Sequence, residues 1–113
     1  MATFVRGDVV VVPFPFSDLT QAKRRPALVL AALTGDDVIL CQITSQAVRD
    51  QYAIPLTTAD FSEGSLQKAS NIRPNRLFTA DRRLLLYKVG TVSTARLAAV
   101  IQALIDIFQA DSM

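Results

Sequence analysis

From Pro26 to Leu33 the chain reads PALVLAAL, eight residues without a charge or a hydrogen-bonding side chain. A run this apolar and this short fits a strand buried on both faces. Four turn residues follow, Thr34-Gly35-Asp36-Asp37, and Val38 to Thr44 then reads as a returning strand. The two together predict a β-hairpin.

The rest of the chain is read around that hairpin. Gly7-Asp8 opens the β-branched run Val9 to Val12, a strand that Pro13 and Pro15 are expected to end. Phe14 to Arg25 is expected to be a long, polar, irregular loop, and Ser45 to Gln51 a second polar connection. Short strands are expected at Tyr52–Leu56 and Ser65–Lys68, with loop at Thr57–Gly64. Ser70 to Ala80 reads as a strand whose Pro74 calls for a bulge or an edge. Asp81 to Leu85 reads as a helical turn and Tyr87 to Val92 as the last strand. Ser93 or Thr94 then caps one helix, whose Leu97, Val100, Ile101, Leu104, Ile105 and Phe108 form a single apolar stripe. Many short strands closed by one helix predict a mainly β (α+β) fold, a small barrel. At 113 residues, the whole chain (1–113) reads as one domain.

Composition narrows the chemistry. Histidine is absent, which removes the usual acid–base residue and the commonest transition-metal ligand. Cys41 is the only cysteine, so no intrachain disulfide can form, and its apolar neighbours predict a buried structural thiol. The adjacent acids Asp36 and Asp37 sit on a turn tip, and Asp60 and Glu63 share a loop, so no metal site is expected. The apolar stretch Val9 to Phe16 is too short to span a bilayer, and Arg6 and Asp8 break any signal-peptide pattern. A soluble, cytoplasmic protein is expected. The net charge is only +2, yet the cations cluster: Lys23, Arg24 and Arg25 are adjacent, and Arg73, Arg76, Arg82, Arg83 and Lys88 crowd a later stretch. Such clusters suit phosphate.

Two segments stand out as candidate sites. In the first loop, aromatic residues and cations interleave, a composition that suits base stacking and phosphate gripping. Phe14 and Phe16 also fit core packing. Arg25 differs from its neighbours because it sits where loop meets strand, and Pro26 holds it toward an extended backbone. The second segment is Ile43-Thr44-Ser45-Gln46, at the end of the returning strand. With the turn at Thr34–Asp37, residues 25 and 44 oppose or nearly oppose each other and can share one sheet face. A one-residue slip would separate them.

The residues resemble a known family at this point. Gly7-Asp8-Val9-Val10-Val11-Val12-Pro13-Phe14, followed by Lys23-Arg24-Arg25-Pro26-Ala27-Leu28-Val29-Leu30, is similar to the N-terminal signature of the MazF/PemK toxins of type II toxin–antitoxin systems. Gln42-Ile43-Thr44-Ser45-Gln46, Ser70-Asn71-Ile72-Arg73-Pro74 and Lys88-Val89-Gly90-Thr91-Val92-Ser93 match later blocks. The resemblance implies an SH3-like β-barrel with a C-terminal helix, a homodimer, and sequence-specific cleavage of single-stranded RNA, chiefly mRNA. It implies a cognate antitoxin that blocks the RNA groove. The family's catalytic arginine and threonine fall on Arg25 and Thr44. The substrate contacts expected with them are Phe16, Ser17, Asp18, Thr20, Gln21, Lys23, Arg24, Ser45, Gln46 and Arg73. Some members carry a catalytic glutamate in the first long loop, where this chain has Asp18 as its only acid.

The expected chemistry is attack by the substrate's own 2′-hydroxyl on the adjacent phosphorus, with no metal and no cofactor. Arg25 would stabilise charge on the phosphoryl oxygens, and Thr44 would donate to the same phosphate. Two other readings share the barrel: a gyrase inhibitor of the CcdB type, and a barrel that binds nucleic acid without cutting it. A CcdB-type protein relies on an aromatic C-terminal end, whereas this chain has no tryptophan and ends Gln109-Ala110-Asp111-Ser112-Met113.

Overall fold

A computed structural model describes residues 3–15 and 22–110. Seven strands run in chain order as β1 (Asp8–Pro15), β2 (Ala22–Ala32), β3 (Asp37–Thr44), β4 (Ile54–Leu56), β5 (Phe61–Gly64), β6 (Ser70–Asp81) and β7 (Tyr87–Val92), followed by helix α1 (Thr94–Gln109). They form one sheet in the order β4-β6-β3-β2-β1-β7-β5, antiparallel throughout, curled into a half-barrel with β4 and β5 as its edges.

The apolar run of β2 is buried on both faces because successive side chains point to opposite sides. Leu28 and Leu30 join Val9, Cys41, Ile43, Leu56, Ile72, Val92 and Val100 in one cluster. Ala27 and Val29 join Phe4, Val10, Val12, Val38, Leu40 and Leu85 in another. Helix α1 covers the first cluster with Leu97, Val100, Ile101 and Leu104. Phe78 and Ala80 help to cover the second. Cys41 is buried, and burial pushes its thiol up to about 12, which makes it an inert core residue.

The hairpin forms as expected, with one refinement. Next to the turn, Ala32 pairs with Val38 and Ala31 with Ile39, whereas farther along Val29 pairs with Leu40 and Ala27 with Gln42. A one-residue bulge at Leu30 lies between the two registers.

Pro13 and Pro15 do not end β1, contrary to expectation: pairing with β2 continues through Pro13↔Arg24 to Pro15↔Ala22. The Val11 carbonyl accepts from the Leu86 N–H, so Val11 faces the β7 side, and Pro13 and Pro15 share its parity. Pairing with β7 stops at Val11, so neither proline removes a ladder hydrogen bond. The expected loop therefore shrinks at both ends, since residues 14–15 and 22–25 are strand.

Two further expectations are corrected. Thr57–Gly64 is not loop throughout but a 3-10 turn (Thr58–Asp60) followed by β5, while Ser65–Lys68 is not a strand. β5 exists because Gly90 of β7 lets Phe61 and Glu63 approach: a β-carbon there would sit 2.5 Å from the Glu63 carbonyl oxygen. Pro74 does mark a bulge, since the β3–β6 register jumps from Cys41↔Leu77 to Gln42↔Arg73.

Gly7-Asp8 works as a structural clasp. Gly7 has φ of 99°, a region that favours glycine. The Asp8 carboxylate is 2% exposed and accepts from the Val5 N–H (2.9 Å) and the Thr91 hydroxyl (3.2 Å). At the other end of the chain, Ser93 caps α1 by accepting from the Arg96 N–H at 3.1 Å.

Leu28→Ala is expected to cost about 3 kcal/mol of stability and Ser93→Ala about 1 kcal/mol, read from urea unfolding. A Leu28→Ala cost below about 1 kcal/mol would contradict a β2 that is packed on both faces.

Candidate active site

The second apolar cluster ends at Ala27, and beyond it the same sheet face turns polar. The β2–β3 ladder ends where Ala27 pairs with Gln42, and Arg25 and Thr44 each lie two residues beyond that pair, on the same face. Paired residues share a face. Arg25 also pairs with Val12, Gln42 with Arg73, and Thr44 with Asn71. Arg25, Gln42, Thr44, Asn71 and Arg73 thus lie on one face across three adjacent strands.

The Leu30 bulge decides this arrangement. Carried unbroken from the turn, the register would set Arg25 opposite Ser45 and send Thr44 to the other face. The bulge slides β2 by one residue and puts the arginine and the threonine on one face.

An open pocket of about 550 Å³ lies over this face, lined by Phe14, Arg25, Gln42, Ile43, Thr44, Gln46, Ala47, Val48, Arg49, Asp50 and Arg73. Among the described residues its charged lining is three guanidiniums and one carboxylate. Phe14 packs its ring on Phe78, with centroids 4.9 Å apart, so it braces the pocket wall as well as the core. The Thr44 hydroxyl oxygen accepts from the Gln46 N–H at 3.1 Å. With the oxygen engaged as an acceptor, its proton stays available to an incoming oxygen.

The segment after Thr44 is tied to β6. Asn71 Nδ2 donates to the Gln46 carbonyl (3.4 Å), and Arg73 Nη2 donates to Asp50 Oδ2 (2.9 Å). Asn75 Nδ2 reaches the same Asp50 oxygen at 3.3 Å. The Arg73 side chain is 20% exposed, and its Nε is buried with no hydrogen-bond partner among the described residues.

The structure gathers Arg25, Thr44, Gln46 and Arg73 around the pocket. Lys23 and Arg24 are exposed and do not line it, and by strand alternation Arg24 faces away from Arg25. Ser45 is exposed beside the pocket without lining it. Phe16, Ser17, Asp18, Thr20 and Gln21 lie outside the described residues. Sequence reasoning missed Gln42, Arg49 and Asp50. Gln42 was discoverable from its parity with Thr44. Asp50 was not, because its partners Arg73 and Asn75 lie more than twenty residues away.

Among the described residues, the carboxylates of Asp50, Asp60 and Asp81 are held well ionised. Hydrogen bonding from Arg73, then from the Tyr52 N–H, lowers Asp50 from the usual carboxylate range. The Thr57 N–H and then Arg96 lower Asp60. The Arg83 guanidinium and its backbone N–H lower Asp81 to about 2.

A family model described as "PemK-like, MazF-like toxin of type II toxin-antitoxin system" matches residues 5–108. No curated protein sequence is similar to the chain. Among solved structures, a mycobacterial endoribonuclease in complex with its cognate antitoxin superposes with a TM-score of 0.76 at 14% identity, covering 98% of this chain and 100% of the other. MazF from Deinococcus radiodurans superposes with a TM-score of 0.75 at 22% identity, covering 97% and 100%. A MazE–MazF structure from the same organism gives 0.71 at 19% identity, covering 98% and 100%. These likenesses are to the fold.

The carboxylates set a pH dependence. Folded values below the unfolded one mean that their stabilisation is complete above about pH 4–5 and is lost as pH falls through the folded values, for Asp81 about 2. With no histidine to titrate, the urea midpoint is expected to be flat from about pH 8 to 5 and to fall between about pH 5 and 2. A midpoint that rises on acidification would refute this assignment.

Proposed function

The chain belongs to the PemK-like, MazF-like toxin family of type II toxin–antitoxin systems, and from that premise we propose that it is an endoribonuclease that cuts single-stranded RNA sequence-specifically, chiefly mRNA, without a metal. The observation that carries the reading is that Arg25, Thr44 and Arg73 share one sheet face and line one pocket open to solvent. Two guanidiniums flanking a hydroxyl suit a phosphodiester. Each guanidinium offers paired N–H donors to phosphoryl oxygens, and the hydroxyl adds a neutral donor.

The reaction follows from the substrate's own chemistry. The ribose 2′-hydroxyl gives up its proton as its oxygen bonds to the adjacent phosphorus, the P–O5′ bond breaks, and the leaving 5′-oxygen takes up a proton, so the products carry a 2′,3′-cyclic phosphate and a 5′-hydroxyl. Negative charge grows on the non-bridging oxygens in this step. Arg25 neutralises it from a strand rather than a loop, so its guanidinium needs little reorganisation. Thr44, with its oxygen fixed by the Gln46 N–H, donates its proton to the same phosphate. Unpaired RNA can reach the in-line geometry, and DNA lacks the nucleophile.

Several features support the partners that belong to this reading. One solved structure of this fold is a mycobacterial endoribonuclease in complex with its cognate antitoxin, and an acidic or amphipathic antitoxin segment would suit the cationic pocket. A homodimer is part of the proposal: Ile105 and Phe108 of α1 are exposed, and β4 and β5 leave open sheet edges. Among the described residues no helix is long and apolar enough to cross a membrane. The cytoplasm is the proposed site of action.

Arg25→Ala is expected to lower kcat on a long single-stranded RNA by about 10²–10³-fold, and Thr44→Ala by about 10-fold or more, with circular dichroism unchanged. Cutting should persist in EDTA and leave cyclic phosphate ends. Normal cutting by Arg25→Ala, or loss of wild-type cutting in EDTA, would overturn the mechanism. RNA binding without products would favour the non-catalytic barrel.

A further inference from the structure

Asp50 is the one carboxylate that lines the pocket among the described residues, and proximity makes it a candidate for the base in the proposed reaction. Its hydrogen bonds argue otherwise. Oδ1 accepts from the Tyr52 N–H at 3.0 Å and the Ala53 N–H at 3.2 Å. Oδ2 accepts from Arg73 Nη2 at 2.9 Å and Asn75 Nδ2 at 3.3 Å. Four donors fill the four lone-pair positions of a carboxylate. A base needs a free lone pair and a basicity near neutral pH, and this group has neither.

The two oxygens do different work. Oδ1 closes the turn that ends the pocket segment, and Oδ2 reaches across to β6. Arg73 starts from a strand position paired with Gln42, on the site face. An arginine side chain has several rotatable bonds and no intrinsic reason to lie along a wall. The contact to Asp50 fixes its fork while leaving other N–H groups of the guanidinium for a ligand.

We propose that Asp50 is a positioning residue: through Oδ2 it holds the Arg73 guanidinium against the pocket wall, making Arg73 a pre-formed second grip for an RNA phosphate beside Arg25. This rests on the endoribonuclease reading and assigns Asp50 a role in substrate binding rather than in proton transfer. Asp50→Asn separates its two functions. The amide oxygen still accepts from Tyr52 and Ala53, while the new NH₂ group faces the Arg73 and Asn75 donors and repels them.

The test is a double-mutant cycle of Asp50→Asn and Arg73→Gln. Binding is read as the Kd for a short single-stranded RNA with 2′-O-methyl riboses throughout, which cannot be cut. Cleavage is read on unmodified RNA. Asp50→Asn is expected to raise Kd and KM about 10-fold, the scale of one lost charge-assisted contact. The kcat should stay within about 2-fold and its pH profile should not change. In the Arg73→Gln background the same substitution should add nothing. Losses that multiply in the double variant, an unchanged Kd in Asp50→Asn, or a fall in kcat with an altered pH profile would each overturn the inference. If Asp50→Asn does not fold, Arg73→Gln decides alone, and a wild-type Kd there overturns it. Wild-type cleavage and its Arg25→Ala control, run alongside, report on the endoribonuclease reading separately, because the uncut RNA reads the cycle whether or not the protein cuts.

Discussion

The β2–β3 ladder is the constraint on which the rest depends. Its middle is buried on both faces, with Leu28, Leu30, Cys41 and Ile43 committed to one cluster and Ala27, Val29, Val38 and Leu40 to the other. A slip of one residue would exchange Leu28 and Leu30 for Ala27 and Val29 on the face covered by α1. The larger side chains are needed there, because Val100 and its neighbours must meet something of leucine size. The register is thus fixed by packing, and the bulge at Leu30 is the local device that reconciles the turn with it. Arg25 and Thr44 inherit their juxtaposition from that reconciliation.

The position of the pocket follows from where the second cluster loses its cover. Phe4, Leu85, Phe78 and Ala80 roof the face as far as Ala27 and Leu40. Farther along the same strands, the side chains are Arg25, Gln42, Thr44 and Arg73, which no apolar roof could accept without large desolvation costs. Polar residues there need water or a polar ligand. The segment from Gln46 to Asp50 forms a wall instead of a lid, held by hydrogen bonds from Asn71, Arg73 and Asn75. In Ser70-Asn71-Ile72-Arg73-Pro74, Ile72 and Pro74 are buried while Asn71 and Arg73 face the pocket segment. One short motif serves the core with one parity and the site with the other.

Much of this was legible in the sequence, and the boundary of legibility is physical. The hairpin, the last strand and the capped helix carry local signals: an apolar run, a turn, a serine before a periodic stripe. That Arg25 and Thr44 share a face was readable only to within one residue, because turn residues alone do not reveal a bulge at Leu30, four residues before the turn. β5 was not readable, since Phe61-Ser62-Glu63-Gly64 has little strand character and pairs only because Gly90 admits it. The β1 prolines misled because a proline's effect depends on which edge it faces, which is a property of the assembled sheet. Asp50 belongs to the same class, with partners on a strand distant in sequence.

Charge gives the pocket its direction. Arg25, Arg49 and Arg73 line one open volume with Asp50 as the only counter-charge among the described residues, and that carboxylate is already saturated by donors. Asp50 therefore offsets the repulsion among the cations without competing for a ligand's hydrogen-bond donors. A phosphodiester brings negative charge and offers acceptors where the guanidiniums and the Thr44 hydroxyl offer donors. The same arrangement disfavours a protein carboxylate as base, since any acid added to this wall would be captured by an arginine. In the proposed reaction the protein's part is electrostatic, and RNA would supply the nucleophile.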